Sequence, residues 1–347
     1  LEKALAGKIA SASLSIEPNR VRVNGSSTPK DVETMLQLAY LYFTNIAKDQ
    51  KSYDNLMQTA ELNLKNRLLQ PESVLQDSMT ATLTCKNPRF KAMATEDLPQ
   101  VNYDRILQMA KEQTANAAAF TFTIIGNYDE ETIRPLIETY LASLPAQKNV
   151  VKSQNVNTEF KGIAINSFKH KAETPKAYAI MEWYTKGMAY TPENDIKMDM
   201  ISQILDMEYL KKIRDDASAA YTVQSMSSID RNDFETTAQI LAVCPMKPEK
   251  GDIAITILRD EVAALAKTCD ADKLQKVKEY MLKSHADQLK QNNYWLGVIN
   301  AWRKWGIDFH TDYEKLVNAQ RPESISACVA EVLKAGNRAE IIIIPAE

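Results

Sequence analysis

Glycine is scarce in this chain: only 9 occur in 347 residues, well under the usual share of about 7%. Neither G-x-x-x-x-G-K nor G-x-G-x-x-G occurs, which excludes the backbone cradles that hold phosphates and dinucleotides. Histidine is scarcer still, with 3 residues, and G-x-S-x-G is missing, so the strand-to-helix elbow of many serine hydrolases is excluded too. The 4 cysteines, Cys85, Cys244, Cys269 and Cys328, are scattered and form no C-x-x-C pair. They are expected to be buried free thiols rather than metal ligands or a redox pair. The longest aliphatic run, Ile341 to Ile344, is far shorter than the roughly 20 residues a membrane-spanning helix needs. Basic excess is lacking as well: a net charge of -3 provides no footprint for nucleic acid or an anionic membrane. The stretch Leu1 to Lys8 has neither the basic nor the apolar block of a signal peptide and says nothing about compartment.

What remains is ordinary for a globular protein, with 45% hydrophobic and 25% charged residues. The length predicts two domains, each able to bury its own core. Alternation over Ile9–Ile16 and Val21–Val23, around Glu17-Pro18-Asn19-Arg20, predicts a β-hairpin. Thr28-Pro29 opens a helix as N-cap and first helical residue. Further helices are expected over 51–69, 72–84, 101–116 and from Asp129 to Pro145, with a short strand at Phe120–Ile125. Residues 147–159 are polar and aperiodic and predict a linker. The expected domains are therefore 1–146 and 160–347.

In the second domain, strands are predicted over 162–168 and 177–184, then a hairpin of 221–228 and 234–244. Helices follow over 248–267, 271–290, 294–304, 313–316 and 322–333, with a last strand at 340–344. Strands gathered beside runs of helices, rather than alternating with them, predict an α+β fold with helices on one sheet face. Each part runs from hairpin to helices to one apolar strand, a weak internal repeat.

The most informative stretch is Tyr209 to Val223. Helical spacing of Ile201, Ile204, Leu205, Leu210 and Ile213 gives way to a period of two, so a helix is expected to end near Asp216 and a strand to begin near Tyr221. Arg214 and Tyr221 flank this corner with small residues between them, and together they could aim a guanidinium and a phenol at one bound group. A purely structural alternative is that Arg214 complements the helix dipole or pairs with Asp206, Asp215 or Asp216.

Phe120 to Asp129, with Leu136, Tyr140-Leu141 and Leu144-Pro145 after it, resembles a segment of the pitrilysin/insulysin zinc peptidases, the inverzincins. Ser26 to Glu33 with Gln37 to Phe43, Asn293-Tyr294-Trp295-Leu296, and the Arg214/Tyr221 corner resemble the same family, in order and over nearly the whole chain. The resemblance is strongest to the C-terminal half of the bacterial members. It implies tandem metallopeptidase-like α+β domains, each an antiparallel-rich sheet covered by helices, in two halves facing a chamber. Zinc in the intact enzyme is then held by H-x-x-E-H in the N-terminal half, and none in this chain.

By the same resemblance Arg214 and Tyr221 contact substrate, Tyr221 as donor to the carbonyl oxygen on which charge develops. Arg214 would grip a neighbouring backbone carbonyl with a geometry that Lys could not match. Relatives usually place a Gly before this Tyr, where this chain has Ala217-Ser218-Ala219-Ala220. The implied partners are the zinc-bearing half and unstructured peptides, in a periplasmic or envelope setting by analogy. The first domain is expected to be incomplete at its N-terminal side, because Leu5-Ala6-Gly7-Lys8 falls where the family already has preceding strands.

His170-Lys171-Ala172-Glu173-Thr174 misses H-x-x-E-H by its last residue, and Pro175 disfavours the helix that motif needs; a surface strand end is expected. His285 on a polar helix face and His310 near a helix start lack ligand-spaced partners. Trp295, Trp302 and Trp305 read as core or inter-domain packing. The alternatives to a peptidase half are a non-catalytic scaffold subunit of the same family and an unrelated α+β binding module. The scaffold relatives tend to lose the Arg and Tyr.

Overall fold

The computed structural model describes residues 5–148, 150–171 and 176–346. The chain divides into two units, Leu1–Leu64 with Met93–Val156, and Lys65–Ala92 with Asn157–Glu347. The crossing at Val156 lies inside the polar stretch 147–159.

The first unit carries the antiparallel hairpin β1 (Ala10–Glu17) and β2 (Arg20–Ser27). Helix α1 (Val32–Thr44) packs on both strands. Helix α2 (Gln50–Leu68) follows, and after the excursion into the second unit come α4 (Tyr103–Thr114) and α5 (Glu130–Ile137). The unit's core gathers Leu36, Phe43, Leu141 and Leu144 against Phe120 and Ile124. Phe120–Ile125 departs from the strand predicted for it and joins neither sheet. A β-prone run becomes a strand only by pairing, and β1 and β2 pair with each other. Phe120 is nevertheless extended, and its ring meets Phe43 edge-on at 4.9 Å.

The second unit is built on a five-stranded sheet ordered β3 (Ile163–His170), β7 (Asn337–Pro345), β4 (Ala177–Lys186), β6 (Thr236–Met246), β5 (Gln224–Arg231). Every pair is antiparallel except β3 with β7. Strand β4 is buried on both faces and mostly apolar, as befits a strand covered on both sides. Its Ala177, Ala179, Met181 and Trp183 join the main core with α6 (Pro192–Tyr209), α7 (Gly251–Leu265), α8 (Ala271–Gln288) and α11 (Pro322–Lys334). Its Tyr178, Ile180 and Tyr184 face Phe160 and Leu75 of α3 (Pro71–Leu83). The face opposite the main helical layer thus receives α3, which is why residues 65–92 belong to this unit. Glu72 of α3 accepts from Tyr178 and Lys176.

Cys244, Cys269 and Cys328 are buried as expected, whereas Cys85 is exposed. It sits with Lys86 in left-handed backbone just past α3, a helix-ending turn that leaves the side chain outside. His285 is also not on an open face: it is 3% exposed and stacks on Tyr313 at 4.0 Å. Tyr313 opens α10 (Tyr313–Ala319), which packs on α8 and brings that ring over the imidazole. Along α9 (Asn292–Trp305), Trp302 is 58% exposed rather than packed. Trp305 lies between the cations of Arg231 and Lys304, and Trp295 donates to the Leu289 carbonyl at 2.8 Å. The tryptophan of the core is Trp183.

Candidate functional site

Helix α6 is buried around much of its circumference, and Ile201, Ile204, Leu205 and Tyr209 are at most 1% exposed. At Leu210 it widens into a π-turn that runs to Asp216, a local change of winding often found where a helix serves a site. The turn is clamped from inside. Tyr209 donates to the Leu258 carbonyl of α7 at 3.2 Å, Lys212 reaches both oxygens of Glu261 at 2.7 Å, and Ile213 is fully buried. Arg214, the next residue, therefore projects outward, its side chain 47% exposed. Truncating the anchor, Ile213→Ala, is expected to cost about 2–5 kcal/mol, measured by denaturant unfolding of the chain.

After the turn the backbone makes its corner without glycine. Ser218 takes the left-handed conformation at φ 49°. Ala219 and Ala220 are buried, at 0% and 4%, so nothing larger fits there without displacing the core. Ala217 N–H donates to the Lys212 carbonyl at 3.0 Å and Ala219 N–H to the Ile213 carbonyl at 2.7 Å. From the far side, Lys247 N–H donates to the Ala219 carbonyl at 2.8 Å, and the Lys250 ammonium to the Ala217 carbonyl at 2.7 Å. Ala220 forms an isolated bridge with Met246.

Tyr221 follows that bridge and sits in a bend, before the strand rather than in it, since β5 starts at Gln224. The bridge at Ala220 fixes the backbone just upstream and leaves Tyr221 free of a ladder. Its side chain is 82% exposed, and its hydroxyl has no hydrogen bond to the described residues. Arg214 pairs with Asp215, Nε to Oδ1 at 2.8 Å and Nη2 to Oδ2 at 3.4 Å, and that carboxylate raises the guanidinium pKa. Asp206 is engaged elsewhere, accepting from the Ser225 N–H at 2.5 Å. Both predicted site residues thus stand on one pinned corner, solvent-exposed, with the phenol available as a donor. Sequence reading did not single out Lys247 and Lys250; strand pairing alone carries them to the corner.

No set of side chains here suits zinc. Among the described residues no group of three or more His, Cys, Asp and Glu could hold a metal ion. His170 is the last residue of β3, and Ala172 to Pro175, the rest of the near-miss motif, lie outside the described residues. His310 Nδ1 is bonded to the Tyr294 hydroxyl at 2.9 Å, and His285 is enclosed by aromatic rings. A groove of about 540 Å³ lined by Glu193, Leu316, Gln320, Arg321 and Glu323 contains neither Arg214 nor Tyr221. No helix among the described residues is long and apolar enough to cross a membrane.

The described residues thus form a mixed sheet covered by helices, with Arg214 and Tyr221 exposed on one corner of it. The chain belongs to the family described as the peptidase M16 inactive domain, whose model matches residues 100–281. Among curated proteins it is 22% identical over 248 residues to "Probable zinc protease PqqL" of Escherichia coli (strain K12), covering 71% of this chain and 26% of that protein. The crystal structure of the periplasmic protease PqqL from Escherichia coli matches with a TM-score of 0.80 at 19% identity, over 99% of this chain and 38% of that one. A mutant of the ferredoxin protease FusC in complex with Arabidopsis ferredoxin matches with a TM-score of 0.79 at 17% identity, over 100% and 38%. The chain thus spans roughly a quarter to two fifths of these relatives.

Proposed function

We propose that this chain is the C-terminal, metal-free portion of a zinc-dependent metalloendopeptidase, working in the periplasm or cell envelope on unstructured peptides. Residues 1–146 and 160–347 are its two α+β domains, with 65–92 packed into the second. It forms half of the peptide chamber, and the hydrolytic centre belongs to a zinc-bearing N-terminal half, in the same polypeptide or a partner subunit. Tyr221 donates its phenolic hydrogen to the carbonyl oxygen of the bond being cut as negative charge grows there. Arg214 holds a neighbouring peptide carbonyl through its planar fork. Alone, the chain hydrolyses nothing.

The observation that carries this is the corner itself: an Arg and a Tyr held on opposite sides of a rigidly bonded turn, both left open to solvent, in a member of the inactive-domain family. A core built only for stability has no reason to pin a turn in order to expose a phenol. The test mixes this chain with a candidate zinc-bearing half containing H-x-x-E-H and follows cleavage of a quenched unstructured peptide. Cleavage is expected only when both are present. A native chain that adds nothing to a partner shown to bind it would instead mark a scaffold subunit of the same family.

A further inference from the structure

We propose that Lys247 is a specificity residue of the Tyr221 corner, forming with the phenol a subsite for a peptide carboxylate; this rests on the reading of Arg214 and Tyr221 as substrate contacts. The Lys247 ammonium lies over the Tyr221 ring, 5.4 Å from its centre. The cations around it are otherwise engaged: Lys212 by Glu261, Arg214 by Asp215, and Lys250 by the Ala217 carbonyl. Lys247, half-buried, has no carboxylate and no hydrogen-bond acceptor among the described residues.

The placement is not an accident of a loose side chain. Lys247 directly follows the last residue of β6, and its backbone N–H is bonded into the corner at Ala219, so the stem of the side chain starts where Tyr221 emerges. The ring face attracts the ammonium and keeps it beside the phenol. With the single phenolic hydrogen given to the carbonyl, the uncompensated Lys247 cation beside it supplies the charge-assisted contact to a neighbouring carboxylate. A neutral peptide group receives only the phenol. Two sources supply such a carboxylate: a Glu or Asp side chain next to the carbonyl that Tyr221 receives, or the free C-terminus of a short peptide.

Four fluorescent unstructured peptides separate these: one with a Glu, the same sequence with Gln, and each with a free or an amidated C-terminus. Binding to the 347-residue chain is followed by anisotropy at low and high salt. The carboxylate-bearing peptide is expected to bind about tenfold tighter than its neutral counterpart at low salt, with the difference shrinking as salt is added. Loss of the preference on Glu→Gln exchange assigns a side chain, and loss on amidation assigns a terminus.

Lys247→Gln is expected to erase the preference and Lys247→Glu to invert it. The backbone bond to Ala219 survives both, and thermal melting checks that the fold does too. Equal binding of all four peptides by the native chain, or a preference that persists in Lys247→Gln, overturns the proposal. The cleavage assay with Tyr221→Phe reports separately: a normal Tyr221→Phe rate removes the phenol as donor whatever the peptides do, and a lost preference with an intact Tyr221 effect removes only Lys247.

Discussion

Tyr221→Phe, assembled with the zinc-bearing half, is expected to lower kcat by roughly 100-fold or more while leaving KM nearly unchanged. Removing a single oxyanion donor typically costs about 10²–10³ in kcat, or ~3–4 kcal/mol of transition-state stabilisation. The split between kcat and KM follows because the carbonyl oxygen becomes a strong acceptor only as charge develops on it. The structure makes the variant clean. The hydroxyl has no hydrogen bond within the described residues and the side chain is 82% exposed, so Phe removes no folding contact and stability should move by no more than about 0.5 kcal/mol. Steady-state kinetics with both proteins at equal concentration, together with a melting curve, measures both numbers. A kcat within a factor of two of native would show that the phenol is not the donor.

The second large effect concerns folding. Glu182 sits in the middle of β4, 8% exposed, opposite Leu241 on β6 and Ala339 on β7. Burial first, and the neighbouring negative charge of Glu159 second, push its pKa up to about 7, from about 4.3 in an unfolded chain. Between those values the folded protein holds a proton that the unfolded chain has released. Unfolding stability therefore falls as pH rises through this window, and the loss is complete above the folded pKa. Glu182→Gln has no proton to lose. It should match the native protein near pH 4 and exceed it by about 3–4 kcal/mol at pH 8, at about 1.4 kcal/mol for each pH unit that separates the folded and unfolded pKa. Asp195 is also raised to about 7, by burial and by Asp199 and Asp230, so the native protein's own profile sums several groups. The difference between the two proteins isolates Glu182. Urea unfolding at several pH values decides it; a difference that does not grow with pH would mean that the carboxyl keeps its ordinary value in the fold.

Much of the fold was legible because periodicity and capping are local. The α6 core positions and the 224–246 hairpin lie close to where spacing placed them, and the corner was visible as a change of period from helical to two. What escaped depends on partners distant in sequence. Phe120–Ile125 has the composition of a strand but pairs with none, and composition does not count partners. The placement of α3 on the sheet's second face is set by Leu75 meeting Tyr178 and Ile180, which no window on either segment contains. His285 read as polar because its helix neighbours are polar, yet Tyr313 arrives from α10 and covers it. Tyr221 was expected in the strand because alternation begins there, whereas the bridge at Ala220 and the start of pairing at Gln224 leave it in a bend. Lys247 carried no motif at all; its interest comes from β6 delivering it to the corner.

The outer edge of β5 has a consequence for how a peptide can be gripped. Asp206 and Ser202 of α6 accept from the N–H groups of Ser225 and Ser227 at 2.5 and 2.6 Å. The match is geometric: four helical residues rise about 6 Å and two strand residues about 6.7 Å, so Ser202 and Asp206 meet two successive outward-pointing donors. Two successive donors already taken disfavour another strand beside this stretch, which guards it against edge-to-edge aggregation. On the proposed reading, a peptide arriving next to Tyr221 is therefore gripped at Ser225 and Ser227 by side chains rather than as an added strand.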